Sequence, residues 1–511
     1  MRVLNVVYSL LPFLISLIFT YFTYASLPTV WIAYGIWLSM VVGFFLSLDF
    51  YRLARITKYY EFKYSLPEKA YRIASFVTSF NEDPELVKGT LISVKMATKK
   101  YGDVYLLDDS TDKRISEELR TFCEKNGIFY LHRENRRGFK AGAINDALRA
   151  VGDKYDLVAI FDADQRPVEN YFEHVLPYFE DPKVALVQVP QTYSELYSGI
   201  SIASKYQQEP FLRVIMRGRS YSSAFSLGSG SVFRISALKE VGYMDESNIT
   251  EDAATSIKLH EKGYTSVYID VPLIWYGEPP QDLKAYLSQQ SRWSFGHFQL
   301  TKTIFTSDLP FSLFMDYYSE LLYWYKIGPI VTFEFLGPLV FLLLGVPSLI
   351  LNPLIYLMTY LPYLTVSLII YVYLMKGKGK YGLKGFFYHQ SLQFLEYFTV
   401  TLSFIAWILR RKRPFKVTPK GIGKFDLKSI SPSLVLLVLL VLAIIKGFLW
   451  LASVKSEVLY YAIIVNIFWA AYQALFLTGG LWISYKIMKR EEYIAEERVI
   501  NNLDNSLEIN A

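Results

Sequence analysis

Apolar and polar positions alternate along this chain on two scales. On the longer scale, Leu4–Tyr24 and Ser26–Leu48 contain no charged residue, and Pro28 marks the turn between them. Each run is about 20 residues, the length that crosses roughly 30 Å of hydrocarbon. Four more apolar runs of similar length lie late in the chain: Ile327–Leu351 (which contains Glu334), Pro353–Met375, Ser433–Val454 and Val458–Tyr485. Phe386–Leu409 is also apolar, but His389, Gln390, Gln393 and Glu396 recur at helical spacing and form one polar stripe. That pattern predicts an amphipathic helix lying along the membrane surface.

On the shorter scale, the region between Asp49 and Lys326 reads as strands alternating with helices. Strands are predicted at Ile73–Phe80, Val104–Leu107, Ile128–Leu131, Leu157–Phe161 and Val184–Val189, and helices at Glu85–Lys99, Lys113–Lys125 and Lys140–Ala150. Alternation of this kind predicts a mostly parallel sheet covered by helices on both faces. Ligands of such sheets bind at the carboxyl ends of the strands. Three of the predicted strands end in polar or acidic clusters: Asn81-Glu-Asp, Asp108-Asp109-Ser110 and Asp162-Ala-Asp164.

Composition agrees with a mixed architecture. The chain is 52% hydrophobic and 20% charged, too apolar for a purely soluble domain and too charged for a bundle of spans alone. The formal net charge of +6 is too mild to imply nucleic acid. Its placement says more. Lys376–Lys380, Arg410–Arg413 and Lys486–Arg490 are short basic segments, which favour the cytoplasmic side of a membrane. If Phe386–Leu409 lies flat, the six spans put both termini, the central domain and the basic loops on that same side. A single cysteine, Cys123, excludes an internal disulfide framework.

Four constellations carry candidate chemistry. Asp162 and Asp164 stand at i and i+2 on a strand end, where both carboxylates point the same way and can hold a hard divalent cation against a diphosphate; a capping or turn pair is the plainer reading. Thr250-Glu251-Asp252 opens a helix. Thr250 reads as its N-cap, and Asp252 as a carboxylate able to take a proton from an attacking hydroxyl. Gln289, Arg292 and Trp293 share a helix face. There an Arg can clamp a diphosphate and an indole can stack on a sugar, although Trp and Arg also suit a helix at a membrane surface. Finally, Phe415–Gly421 follows Arg410–Arg413 and reads either as a lipid-contacting loop or as a cover over an anionic substrate. The aromatic run Tyr317, Tyr318, Tyr323, Trp324, Tyr325 looks like a membrane-interface belt.

In this order the motifs resemble those of membrane-integrated family-2 glycosyltransferases, the group of cellulose synthases and related glucan, mannan and hyaluronan synthases. The resemblance runs from about residue 30 to 485 and implies a GT-A type (nucleotide-diphospho-sugar transferase) α/β domain inserted between transmembrane helices. Thr78-Ser-Phe-Asn-Glu82 is similar to the family's first strand end, so the resemblance places Ser79 and Glu82, with Asp108 and Asp109, at the nucleotide. Gly138-Phe-Lys140-Ala-Gly142 resembles the segment whose lysine reaches the nucleotide. Asp162 would bind nucleotide sugar and, with Asp164, Mg2+ or Mn2+. Val187-Gln-Val-Pro-Gln191 and Phe225-Ser-Leu-Gly-Ser229 resemble two further family segments, the second lining the acceptor site. Asp252 is the implied base, with Glu251 and Arg292 as further catalytic residues, and Gln289 and Trp293 bind the acceptor. Phe415, Val417, Thr418 and Lys420 resemble the gating loop of cellulose synthases. The sequence departs from the family at Ser79, in place of Thr, and at Ser229-Gly-Ser231, in place of Ser-Ala-Ala.

These features lead us to expect a processive inverting hexosyltransferase in the plasma membrane that uses a UDP-sugar, with UDP-glucose favoured, and moves a β-linked glycan across the bilayer. A non-processive enzyme with a lipid-linked acceptor and a mannan-type synthase using GDP-mannose are the alternatives. The expected organisation is spans in 1–49, the catalytic domain in 50–300, an interfacial segment in 301–326 and spans in 327–375. An interfacial helix with the gating loop follows in 376–432, then spans in 433–486 and an acidic tail in 487–511. That tail is too short for a cyclic-di-GMP-sensing β-barrel. The expected partners are the nucleotide sugar, a glycan acceptor and the lipid bilayer, with no nucleic acid; the sequence names no accessory secretion partner.

Overall fold

A computed structural model of the chain describes residues 2–57, 69–194, 196–275, 277–351, 353–376, 382–411 and 426–486. Seven strands form one sheet: β1 (Ile73–Ser79), β2 (Gly102–Asp108), β3 (Phe129–His132), β4 (Leu157–Asp162), β5 (Val184–Gln188), β6 (Ser231–Arg234) and β7 (Thr265–Tyr268). Their order is β3-β2-β1-β4-β6-β5-β7. All neighbours are parallel except β6, which runs against both β4 and β5. The five predicted strands are present with ends shifted by a residue or two. β6 and β7 were not predicted; each is only four residues long, too short for a period-2 pattern to stand out.

Both faces of the sheet are buried. Along β1, Ile73 and Val77 join one core with Val87, Leu91 and Phe161, while Ala74 and Phe76 join another with Tyr105, Ile144 and Phe233. Alternating side chains reach opposite faces, and helices cover each. The three predicted helices appear as Pro84–Thr98, Lys113–Asn126 and Phe139–Val151. Asp83 and Asp112 cap the first two, accepting from the backbone N–H of Glu85 and Arg114.

Six helices among the described residues are long and apolar enough to cross a membrane, judged by length and composition: Val3–Thr23, Leu27–Ile56, Phe311–Leu344, Gly382–Ile408, Leu427–Leu451 and Glu457–Tyr485. The helix Pro353–Lys376 adds 24 residues. The segment expected to be interfacial, 301–326, contains the whole of the helix Phe311–Tyr325. The helix Leu283–Thr306 ends within it, and Phe311–Tyr325 continues through a π-helical turn, Lys326–Ile330, into Val331–Leu344.

The aromatic run does not form an outward belt throughout. Tyr317, Tyr318 and Trp324 are buried. The Tyr317 hydroxyl lies 2.7 Å from His260 Nδ1, and the Tyr318 hydroxyl donates to the Ser9 carbonyl at 2.6 Å. The polar stripe of Gly382–Ile408 also turns inward. Glu396 is fully buried and accepts from Gln207 at 2.9 Å and from the Tyr286 hydroxyl at 2.6 Å. Such a carboxylate holds three helices together because an unpaired one would be too costly to bury.

Candidate active site

Register brings the strand ends together. Ser79 pairs with Asp108, and Thr78 with Asp162, so the carboxyl ends of β1, β2 and β4 lie side by side. The antiparallel β6 supplies what a parallel strand could not. Its first residue, Ser231, sits beside Ile160 and Gln188, which delivers the preceding loop, Phe225–Gly230, to the same edge.

Around β1 and β2 the acidic groups are already paired. Asp108 is fully buried and accepts from Ser110 N–H at 3.1 Å, the Ser110 hydroxyl at 2.6 Å and the Tyr130 hydroxyl at 2.8 Å. Burial, and then Asp108 itself, push the Tyr130 phenol well up. Asp109 receives the two-pronged guanidinium of Arg133, at 2.9 and 2.6 Å. Arg133 also bonds the Phe139 carbonyl at 2.9 Å and Asp146 at 3.1 Å. Arg136 lies 3.3 Å over the Phe80 ring. The Ser79 hydroxyl is buried without a hydrogen-bond partner, and Glu82 is half-buried in the loop that follows.

The next group joins Lys140, Asp162, Glu251 and Asp252. The Lys140 ammonium pairs closely with Asp162 and donates to the Gly228 carbonyl at 2.8 Å. Burial disfavours its charge, but Asp162 and Glu251 more than offset this and hold its pKa above the ordinary lysine value. The backbone N–H of Asp162 donates to the Ser229 hydroxyl at 2.8 Å. Gly228 has φ +84°, and a Cβ there would stand 3.1 Å from Asp252 Oδ2 and 3.6 Å from Lys140 Nζ. Glycine is therefore required twice, by its backbone and by the approach of the carboxylate.

Thr250 occupies the N-cap position of Glu251–Glu261, but its hydroxyl does not cap. It donates instead to Asn248 Oδ1 at 2.9 Å. The methyl-bearing side of Thr250 packs on Gly296, where a Cβ would come within 2.5 Å of Thr250 Cγ2. This contact sets the helix Leu283–Thr306 against the start of Glu251–Glu261. Burial raises the pKa of both Glu251 and Asp252, and the negative charge of Asp252 raises Glu251 further. Lys140 pulls in the other direction. Burial pushes the Arg292 guanidinium down, countered by Glu251, Asp162 and Asp252, so this arginine faces the same group. Tyr193, which the sequence did not single out, accepts from Gln208 at 2.8 Å and is also hydrogen-bonded by Gln289. Burial, first of all, pushes its phenol up to about 12.

The donor set suits a divalent cation carried in with a diphosphate. Among the described residues no cluster of three or more His, Cys, Asp or Glu could hold a metal on its own. Two carboxylates at one strand end, with phosphate oxygens and water completing the shell, is how Mg2+ is ordinarily held. Asp162 Oδ1 faces Lys140, and Asp164 Oδ2 lies 3.4 Å from the Glu278 N–H.

Beside this group opens a cavity of about 560 Å³. Thr250, Asp252 and Trp293 line one part of it. Ser39 and Gly43, Lys326 and Glu334, Tyr360 and Tyr363, and His389 and Gln393 line the rest, from four different long helices. The expected gating residues Phe415, Val417, Thr418 and Lys420 lie outside the described residues, as do residues 377–380, Lys412, Arg413 and residues 487–490 of the basic segments.

The chain is 30% identical over 246 residues, 46% of its length, to the UDP-forming cellulose synthase catalytic subunit of Pseudomonas fluorescens. It is 26% identical over 401 residues, 73% of its length, to cellulose synthase 2 of Novacetimonas hansenii. The matched regions cover 32% and 24% of those proteins, so the chain spans about a third or less of the length of these curated relatives. Among solved structures, it is similar to the mannosyltransferase PcManGT of Pyrobaculum calidifontis in complex with GDP-mannose and Mn2+. That likeness has a TM-score of 0.47 and 16% identity, and it covers 66% of this chain and 96% of that one. The sequence profile of glycosyl transferase family group 2 matches residues 157–477, from the first residue of β4 into the helix Glu457–Tyr485. With well over half of its length inside that match, and with the mostly parallel sheet and flanking apolar helices in place, the chain belongs to glycosyl transferase family group 2.

Proposed function

We propose that this protein is a processive, inverting glycosyltransferase that moves a hexose from a nucleotide-diphosphate sugar, UDP-glucose in the first instance, onto a β-linked glycan. The observation that carries this reading is the single cavity running from Asp252 and Trp293 into the wall of long apolar helices. A single-transfer enzyme needs an acceptor pocket; a chain-extending one needs a continuing path for its product.

In this reading the nucleotide lies along the ends of β1, β2 and β4, near Ser79, Glu82, Asp108 and Asp109, with Lys140 at its phosphates. Asp162 and Asp164 would hold a Mg2+ or Mn2+ whose charge neutralises the diphosphate. Arg292 adds a second positive charge for the leaving UDP. Asp252 takes the proton from the attacking acceptor hydroxyl. Burial disfavours its charge, and its neighbour Lys140 favours the ionised form needed for that role. Trp293 supplies an apolar face for the terminal sugar, and Gln289 a polar edge. Glu251 beside Asp252 keeps the pair from ionising together at low pH. The helix Gly382–Ile408 is read as interfacial and Phe415–Lys420 as the gate. The catalytic domain and both termini are then placed on the cytoplasmic side of the plasma membrane.

The test is nucleotide release by the full-length protein in nanodiscs, supplied with UDP-glucose, UDP-N-acetylglucosamine and GDP-mannose, followed by sizing and glycosidase digestion of any product. A polymer ladder from UDP-glucose is expected. A single-sugar lipid product would replace processivity with lipid glycosylation. Release from GDP-mannose alone would move the donor to the mannan type, and release from no donor would overturn the enzymatic reading.

A further inference from the structure

Beyond Trp293 the cavity wall contains two buried polar groups that no other group among the described residues satisfies. His297 lies one helical turn after Trp293. Its Nδ1 is 2.8 Å from the Trp293 carbonyl oxygen. A carbonyl only accepts, so Nδ1 carries the hydrogen, and in the neutral ring Nε2 presents a lone pair. That Nε2 is buried without a hydrogen-bond partner. The Trp324 indole Nε1–H is also buried without one. The two rings lie 5.3 Å apart, centroid to centroid, and both residues line the cavity with Asp252 and Trp293.

The charged neighbours do not satisfy this pair. Glu320 Oε1 is 4.0 Å from His297 Nε2, beyond hydrogen-bond reach. The other Glu320 oxygen is held by the fully buried Arg219 at 3.2 Å. Arg219 is itself fixed by the Asp316 carbonyl at 2.7 Å. Asp252 lies within electrostatic reach of His297 and accepts from its own helix, at Ala253 N–H. One vacant acceptor and one vacant donor therefore stand side by side in the path assigned to the glycan. Buried polar groups left unpaired are costly, and such positions are completed by an ordered water or a ligand.

We propose that His297 Nε2 and Trp324 Nε1–H form a hydroxyl-binding subsite for the acceptor glycan, next to the sugar held at Trp293. A sugar hydroxyl both donates and accepts, so adjacent hydroxyls on one ring can donate a hydrogen bond to His297 Nε2 and accept one from Trp324 Nε1–H. No covalent step is involved. The subsite rests on the glycosyltransferase reading, since it requires a glycan in this cavity, and it adds a recognition element beyond the catalytic base.

The experiment measures transfer by the full-length protein in nanodiscs with whichever of the three nucleotide sugars the wild type turns over, and with cellotetraose or mannotetraose as added acceptor. In His297→Ala and in Trp324→Phe, which keeps the apolar ring, the KM for the tetrasaccharide rises about tenfold, while the donor KM and donor hydrolysis stay within about twofold of wild type. His297→Gln, whose amide oxygen can accept the same hydrogen bond, recovers most of the loss. An unchanged acceptor KM in both single variants overturns the subsite. So does a donor KM that rises in step with the acceptor KM, the mark of a merely structural role. A wild type inert toward every donor overturns the enzymatic reading and the subsite with it. A wild type that is active while the variants behave as wild type removes the subsite alone.

Discussion

The two halves of the candidate site are built differently. At the ends of β1 and β2 the carboxylates are tied down in advance: Asp108 by Ser110 and Tyr130, Asp109 by the fork of Arg133. Across the site, along the helix Leu283–Thr306, polar atoms are buried but unsatisfied, among them Gln289 Oε1 and His297 Nε2. In the first half the carboxylates are held by the protein's own groups, which, under the proposed function, suits a nucleotide that is the same in every cycle. The second half is a wall with vacant hydrogen-bonding positions. Under the proposed function, such a wall suits a glycan whose hydroxyls complete the vacant positions and then move on.

The contrast can be broken most severely at Asp252. Asp252→Asn is expected to lower transfer by about 10²- to 10⁴-fold, the range for loss of a general base, while UDP binding measured by calorimetry is unchanged. Comparable losses of UDP affinity and of transfer would mean that the two halves are not separable. Next in size is the metal. EDTA, or Asp164→Asn, is expected to weaken UDP binding and to reduce transfer by roughly 100-fold, with Mg2+ or Mn2+ restoring the chelated wild type but not the variant. Full UDP affinity in EDTA would remove the metal from the donor half.

The smallest effect is the most discriminating. Burial raises Glu251 and Asp252, and each keeps its proton to a higher pH than a free carboxyl group. A base must be deprotonated to act, so transfer should fall as pH is lowered through a limb above the usual carboxylate range. Glu251→Gln removes one of the two competing negative charges. The limb should then move to lower pH by about one unit, with the donor KM unchanged. A limb that stays in place would separate the two carboxylates.

The half of the candidate site at the ends of β1, β2 and β4 was largely legible in the sequence, because it sits on long apolar strands that end abruptly in charge. Val104–Leu107 running into Asp108-Asp109, and Leu157–Phe161 running into Asp162, announce both the strand and the ligand-facing end. The acceptor half was legible only as a motif. Nothing local marks Tyr193, whose hydroxyl meets Gln208 and Gln289, or His297, which becomes informative only once Trp324 is seen beside it. Helical spacing from Trp293 to His297 was the available signal. Thr250 and Glu396 make a different point. Each was read by residue type, as a cap and as part of a membrane-surface stripe. Tertiary packing redirected both, because a buried hydroxyl or carboxylate takes the best partner within reach, wherever that partner lies in the sequence.

The reversal at β6 has a consequence for how this site comes into being. Asp162 and the Ser229 hydroxyl that receives its backbone N–H are 67 residues apart in the chain. The loop that brings Ser229 and Gly228 there is placed only when β6 inserts between β4 and β5. During synthesis the acidic strand ends are therefore made well before the segment that closes over them, and long-range pairing of this kind forms late. A growing chain passes through a stage in which its first two apolar helices are complete and its donor site is still open. Asp162 and its partner Ser229 therefore meet only in the finished sheet.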